Sequence, residues 1–148
     1  MPAGNIAKAQ RSEGRALSPT TIRFLKAGMV YFLLGTFLGV LLALPSSRDI
    51  LYGVSGARWG LAHTHLNLAG FVVMIVFGIA YHILPRFAGK PLHSESWAAS
   101  HFWIATLATA GMAIGFVAPV AAPLLWFGSV AQFAGIVLGI ANLWITIR

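Results

Sequence analysis

The chain has 148 residues, 58% of them hydrophobic and only 9% charged, with a formal net charge of +7. Together with a mean hydropathy of +0.81, this excludes an ordinary water-soluble domain and predicts an all-α, polytopic membrane protein. Cysteine is absent, which excludes disulfides and thiolate metal sites.

Residues 1–22 are polar and basic and read as a mobile tail, with Ser18-Pro19-Thr20 placed to cap the first helix. Residues 23–148 then form one four-helix transmembrane domain. Its first span runs from about Phe24 to Leu44 and is not followed by a good small-residue cleavage site, so it reads as a retained helix. A loop from Pro45 to Trp59 leads to the second span, Gly60 to Leu84, which Pro85 is expected to end. Arg86 to Trp97 form the next loop. The third span, Ala98 to Ala118, and the fourth, Leu124 to Ile147, are joined by a tight turn bracketed by Pro119 and Pro123.

Four spans put both termini on one side. Lys8, Arg11, Arg15, Arg23 and Lys26 cluster at the first span's start, Arg86 and Lys90 lie in the second loop, and Arg148 ends the chain. Only Arg48 and Arg58 fall opposite. The positive-inside rule therefore predicts cytoplasmic termini. The basic residues flank a membrane rather than form one patch, so nucleic acid is not an expected partner. The first, third and fourth spans each carry a Gly-x-x-x-Gly step, Gly35/Gly39, Gly111/Gly115 and Gly135/Gly139. Such steps serve close helix packing, within one chain or between protomers.

The second span holds the polar residues that point to chemistry. His63 and His65 sit in an apolar run, where imidazoles are costly. At ~100° per residue on a helix they point about 200° apart, so one helix offers a nitrogen ligand to each of two sides. His63 heads a stripe with Asn67, Gly70, Met74, Gly78 and Tyr81, and the bare glycines would admit a flat macrocycle. His65 lies on the other face, towards a neighbouring subunit or a ligand. The alternative is that both histidines sit at the outer interface and bind water or headgroups. On the inner side, His82, His93, Glu95 and His101 form a second polar group. His82 and His101 are candidate metal ligands there, and helix capping by Ser94 and Glu95 is the simpler reading. Tyr81, Trp97, Trp59 and Trp126 suit interfacial belts. Met112 is expected to pack.

The run His63-Thr64-His65, then Gly78 and Tyr81-His82-Ile83-Leu84-Pro85-Arg86, resembles the tenth helix of the catalytic subunit of heme–copper oxidases, most of all the cbb-type oxidases and nitric oxide reductases. Leu92-His93-Ser94-Glu95 with His101-Phe102-Trp103-Ile104-Ala105-Thr106 resembles the following loop and eleventh helix. The resemblance is good from about Gly60 to Gly115. It implies that His63 and His65 are iron ligands for two hemes on opposite sides of one helix, with Arg58, and less so Arg48, near the propionates. It also implies that the histidines of the copper site belong to helices outside these four, so that one copy does not build an oxygen-reducing site. The expectation is therefore a heme b protein for electron transfer or redox and gas response. In it, His63 of one protomer and His65 of the next would clasp one heme in a homo-oligomer, a trimer first and a dimer second. An electron-donor protein or a larger membrane complex would be its partner. Two other readings are a cofactor-free accessory subunit of a respiratory or oxidation complex and a reduced nitric oxide reductase-like enzyme.

Overall fold

The computed structural model describes residues 17–54 and 56–148. All regular structure among them is helical: α1 (Pro19–Ala43), α2 (Pro45–Tyr52), α3 (Trp59–Phe87), α4 (Glu95–Val117) and α5 (Ala122–Ile147). α1, α3, α4 and α5 are each long and apolar enough to cross a membrane. Their outward faces expose side chains such as Phe37, Val76, Leu107 and Phe133, which suit hydrocarbon and not water.

Local chemistry sets the ends. Ser18 accepts a hydrogen bond from the Thr21 backbone N–H at 3.1 Å, and Pro19 fills the first turn. The helix thus takes in residues 19–22, which the sequence reading gave to the tail; residues 1–16 lie outside the described residues. α2 was not anticipated. It starts on Pro45, and the Ser47 hydroxyl donates to the Leu41 carbonyl at 2.6 Å, satisfying a carbonyl at the end of α1. Trp59 Nε1 donates to Leu51 O at 2.9 Å and ties α2 to the start of α3. Pro85 does not end the second span. α3 runs on to Phe87 and closes where Gly89 takes φ +63. There Lys90 N–H reaches Pro85 O at 3.1 Å and Gly89 N–H reaches Arg86 O at 3.2 Å, the reciprocal pair that ends many helices on glycine.

The loop before α4 is pinned from a distance. Asn142 of α5 is fully buried; its Oδ1 accepts from Ser94 N–H at 3.0 Å and its Nδ2 donates to Ser94 O at 2.8 Å. Thr146 Oγ1 accepts from His93 N–H at 3.0 Å. Ser94 in turn caps α4 by accepting from Trp97 N–H.

α3 and α4 are central, with α1 packed along α3 and α5 along α4, an arc rather than a closed ring. One apolar cluster, including Phe24, Met74, Tyr81 and Phe102, fills the Pro85 end; a second, Leu38, Ala62, Met112 and Phe116, fills the Trp59 end. All three Gly-x-x-x-Gly steps face this same chain. Gly35 and Gly39 take Asn67 and His63, Gly115 takes the start of α5 at Leu125, and Gly135 and Gly139 take Ile104 and His101.

Candidate functional site

His63 and His65 stand in the second turn of α3, and directly after them the helix widens to a π-helical segment, Leu66–Val73. Such insertions re-aim side chains and recur at functional sites. The His63 ring packs on α1: its Nδ1 lies 2.8 Å from the Gly35 carbonyl. The His65 ring turns the other way, towards α4, with its centroid 4.7 Å from that of Phe116. Its Nδ1 lies 2.9 Å from the carbonyl of Leu61. A carbonyl only accepts, so Nδ1 carries the proton in both rings. In the neutral ring this tautomer leaves the lone pair on Nε2, as in a metal-ligating imidazole oriented by a backbone carbonyl.

The stripe below His63 serves another purpose from the one its glycines suggest. A Cβ on Gly70 would meet Tyr31 Cγ at 2.6 Å, and one on Gly78 would meet Phe24 Cβ at 2.9 Å. These two glycines seat aromatic rings of α1, so the space foreseen for a macrocycle is taken up by helix packing. Met74 is completely buried in that seam. Asn67 lies against Gly35 and donates to His63 O at 2.9 Å, which holds the turn bearing His63. Tyr81 is also buried, not interfacial.

On the His65 side, Arg58 places its guanidinium 5.5 Å from the centroid of Phe116. Arg58 and the tilted His65 ring thus both lie against Phe116. Arg48 instead pairs with neighbouring Asp49 at 3.5 Å in an exposed position and takes no part. Beside His65 runs a groove of about 440 Å³ between α3 and α5, floored by Met112 of α4. Its α5 wall carries Ser129, Gln132 and Phe133. The sequence reading overlooked Gln132. Its signal was an amide in the middle of an apolar span, a placement that calls for a partner.

At the Pro85 end, His82 and His101 face different partners. His82 Nδ1 faces the Arg86 guanidinium at 2.8 Å, and that cation would repel a second one. His101 is fully buried with its Nδ1 2.9 Å from Tyr81 Oη, edge-on to Phe77 and seated on Gly139. Among the described residues no three His, Cys, Asp or Glu side chains gather as a metal site would require.

Residues 4–122 match the family model for cytochrome c and quinol oxidase polypeptide I. The Cbb3-type cytochrome c oxidase subunit CcoN1 of Stutzerimonas stutzeri is 29% identical over 111 residues, covering 74% of this chain and 23% of that protein. Cytochrome c oxidase subunit 1 of Rhodobacter capsulatus is 28% identical over 87 residues, 58% of this chain and 16% of its own length. A putative cytochrome c oxidase subunit 1-beta of Streptomyces avermitilis is 37% identical over 75 residues, 51% of this chain and 13% of its own length. The chain thus spans less than a quarter of the length of these relatives. No solved structure matches.

Proposed function

This chain belongs to the family of cytochrome c and quinol oxidase polypeptide I, and from that premise we propose that it is a heme b protein of the bacterial inner membrane, serving electron transfer or redox and gas response. The observation that carries this reading is the imidazole pair itself. Two rings one residue apart each set Nδ1 against a backbone carbonyl, so that Nε2 is the nitrogen each would offer a metal. This donor set fits heme iron, and the largely apolar groove beside His65 fits a porphyrin face. Heme, when bound, supplies a one-electron iron couple in a low-dielectric setting. The chain's own residues hold and orient. Gly35 O and Leu61 O fix the two rings, Asn67 braces the turn, and Arg58, against Phe116 on the His65 side, is the proposed partner of the porphyrin carboxylates.

His63 faces α1 and His65 faces α4, so the two rings of one copy do not meet on one iron. The reading that joins them is a homo-oligomer, a trimer before a dimer, in which His63 of one protomer and His65 of the next grip a shared heme. Two imidazoles holding one iron would favour electron transfer over oxygen chemistry. An electron-donor protein or a larger membrane complex is the proposed partner, and both termini face the cytoplasm by the charge rule. The accessory-subunit alternative relied on the Gly-x-x-x-Gly faces for docking, and those are filled from within the chain. The test is an absorption spectrum of the purified protein with a heme-to-protein ratio and a native mass. A Soret band with b-type pyridine hemochrome in an oligomer supports the proposal; its absence after heme supplementation overturns it.

A further inference from the structure

Among the described residues, buried side-chain polar atoms without a partner occur at His101, Thr106, Thr109 and Gln132, and of these Gln132 lines the groove beside His65. It lies on α5, is 8% exposed, and neither its amide nitrogen nor its amide oxygen has a hydrogen-bond partner. It lines the groove whose opposite wall carries His65. A buried amide left unpaired costs about 1–3 kcal/mol, more than most single contacts return. An apolar span gains nothing by keeping such a group unless something in the groove pairs with it. The surroundings say what kind of group. The remaining lining is mainly apolar, from Met112 and Phe133 among others, with the Thr64 and Ser129 hydroxyls near the rim. The Ser129 hydroxyl already donates to Leu125 O at 2.7 Å and the Thr64 hydroxyl to Gly60 O at 3.0 Å. That leaves the Gln132 amide N–H as an uncommitted donor among the polar side chains that line the groove with His65.

We propose that Gln132 is a ligand-contacting residue of the His65 site: a flat apolar group held by His65 lies in this groove, and the Gln132 amide donates to an acceptor oxygen that the bound group carries. This rests on the heme reading above and assigns the wall of the site that the family match does not reach, since that match ends at residue 122. The oxygen has two sources of the same chemistry, a carboxylate of the porphyrin or the oxygen of a diatomic molecule that would take the place of the second imidazole on the iron.

The experiment compares the full-length protein with Gln132→Leu and Gln132→Met, variants that keep volume and lose the donor. Each is titrated with hemin and with hemin dimethyl ester, and its ferrous form is examined under carbon monoxide by infrared spectroscopy. A carboxylate contact predicts that the variants bind hemin about tenfold more weakly, as one lost hydrogen bond would give, with no loss for the ester. A diatomic contact predicts unchanged heme affinity and a C–O stretch shifted upwards in both variants. Unchanged affinity together with an unchanged stretch, in variants that stay monodisperse, overturns the proposal. His65→Ala separates the two levels. If it leaves the wild-type spectrum intact, the heme reading itself fails; if it removes the spectrum while Gln132 variants change nothing, only the role of Gln132 fails.

Discussion

His63 turns the Cε1 of its ring to Gly39: a Cβ at that glycine would stand 2.7 Å from it. The first Gly-x-x-x-Gly step is therefore a seat for a candidate ligand and its brace, Asn67, rather than a generic helix contact. The ring's position is set by two elements at once, the Gly35 carbonyl that fixes Nδ1 and the bare backbone that lets the ring approach.

It follows that Gly39→Val should displace His63 without touching any metal-binding atom. We expect a loss of about 1–3 kcal/mol of stability, typical of overpacking, together with reduced heme content and an altered reduced spectrum. Gly28→Ala is the comparison, since its Cβ would meet the Ile75 side-chain tip at 3.0 Å, a flexible end that can yield. Thermal unfolding in detergent and a heme-to-protein ratio check both. Equal effects on heme from the two variants would remove the special role of Gly39.

His63→Ala and His65→Ala should each change the reduced absorption spectrum, and a sample of either alone should lack six-coordinate heme. Coexpressing the two variants should restore part of it if the iron is shared between protomers, because a mixed oligomer contains interfaces with one intact histidine of each kind. Restoration is read from the low-spin bands of the ferric form. No recovery in demonstrably mixed oligomers would count against the shared site.

Asn142→Leu should be among the most damaging substitutions. It removes two hydrogen bonds to the Ser94 backbone and leaves that N–H and carbonyl without them. A loss of about 2–4 kcal/mol is expected from two such deletions. The loop before α4 should open first, seen as faster hydrogen exchange around residues 92–96, with the heme bands changed little because His63 and His65 lie at the other end of α3.

Tyr81→Phe leaves His101 Nδ1 without its partner inside the bundle. We expect a stability loss of about 1–3 kcal/mol and no change in metal content. His82→Ala should likewise leave metal content unchanged. Elemental analysis finding a metal that either variant removes would restore the inner histidines as a ligand site.

Much of this protein is written locally. The apolar stretches forecast four spans, because a backbone in lipid must satisfy its own hydrogen bonds along a length set by the bilayer. Ser18, Ser94 and the proline turn before α5 act where their side chains and fixed φ must act. The opposed directions of His63 and His65 follow from helix geometry alone, and the π-helical turn begins only after them. The end of α3 was misplaced because a proline in a last turn loses only one hydrogen bond, and the stop is made by Gly89 instead.

What periodicity along one helix cannot reveal is which neighbour fills each face. Gly70 and Gly78 offer the same bare backbone to a porphyrin or to a ring from α1, and only the docking of α1 assigned them to Tyr31 and Phe24. Ser94 and Asn142 are 48 positions apart, and Gln132 meets the His65 groove from another helix. The sequence by itself determined the spans, their caps and the two imidazole directions, all consequences of bonds within a few residues. Tertiary structure decided which small residues are seats, which histidine is sealed and which amide faces the groove, because those depend on close packing between elements that the chain brings together only when folded.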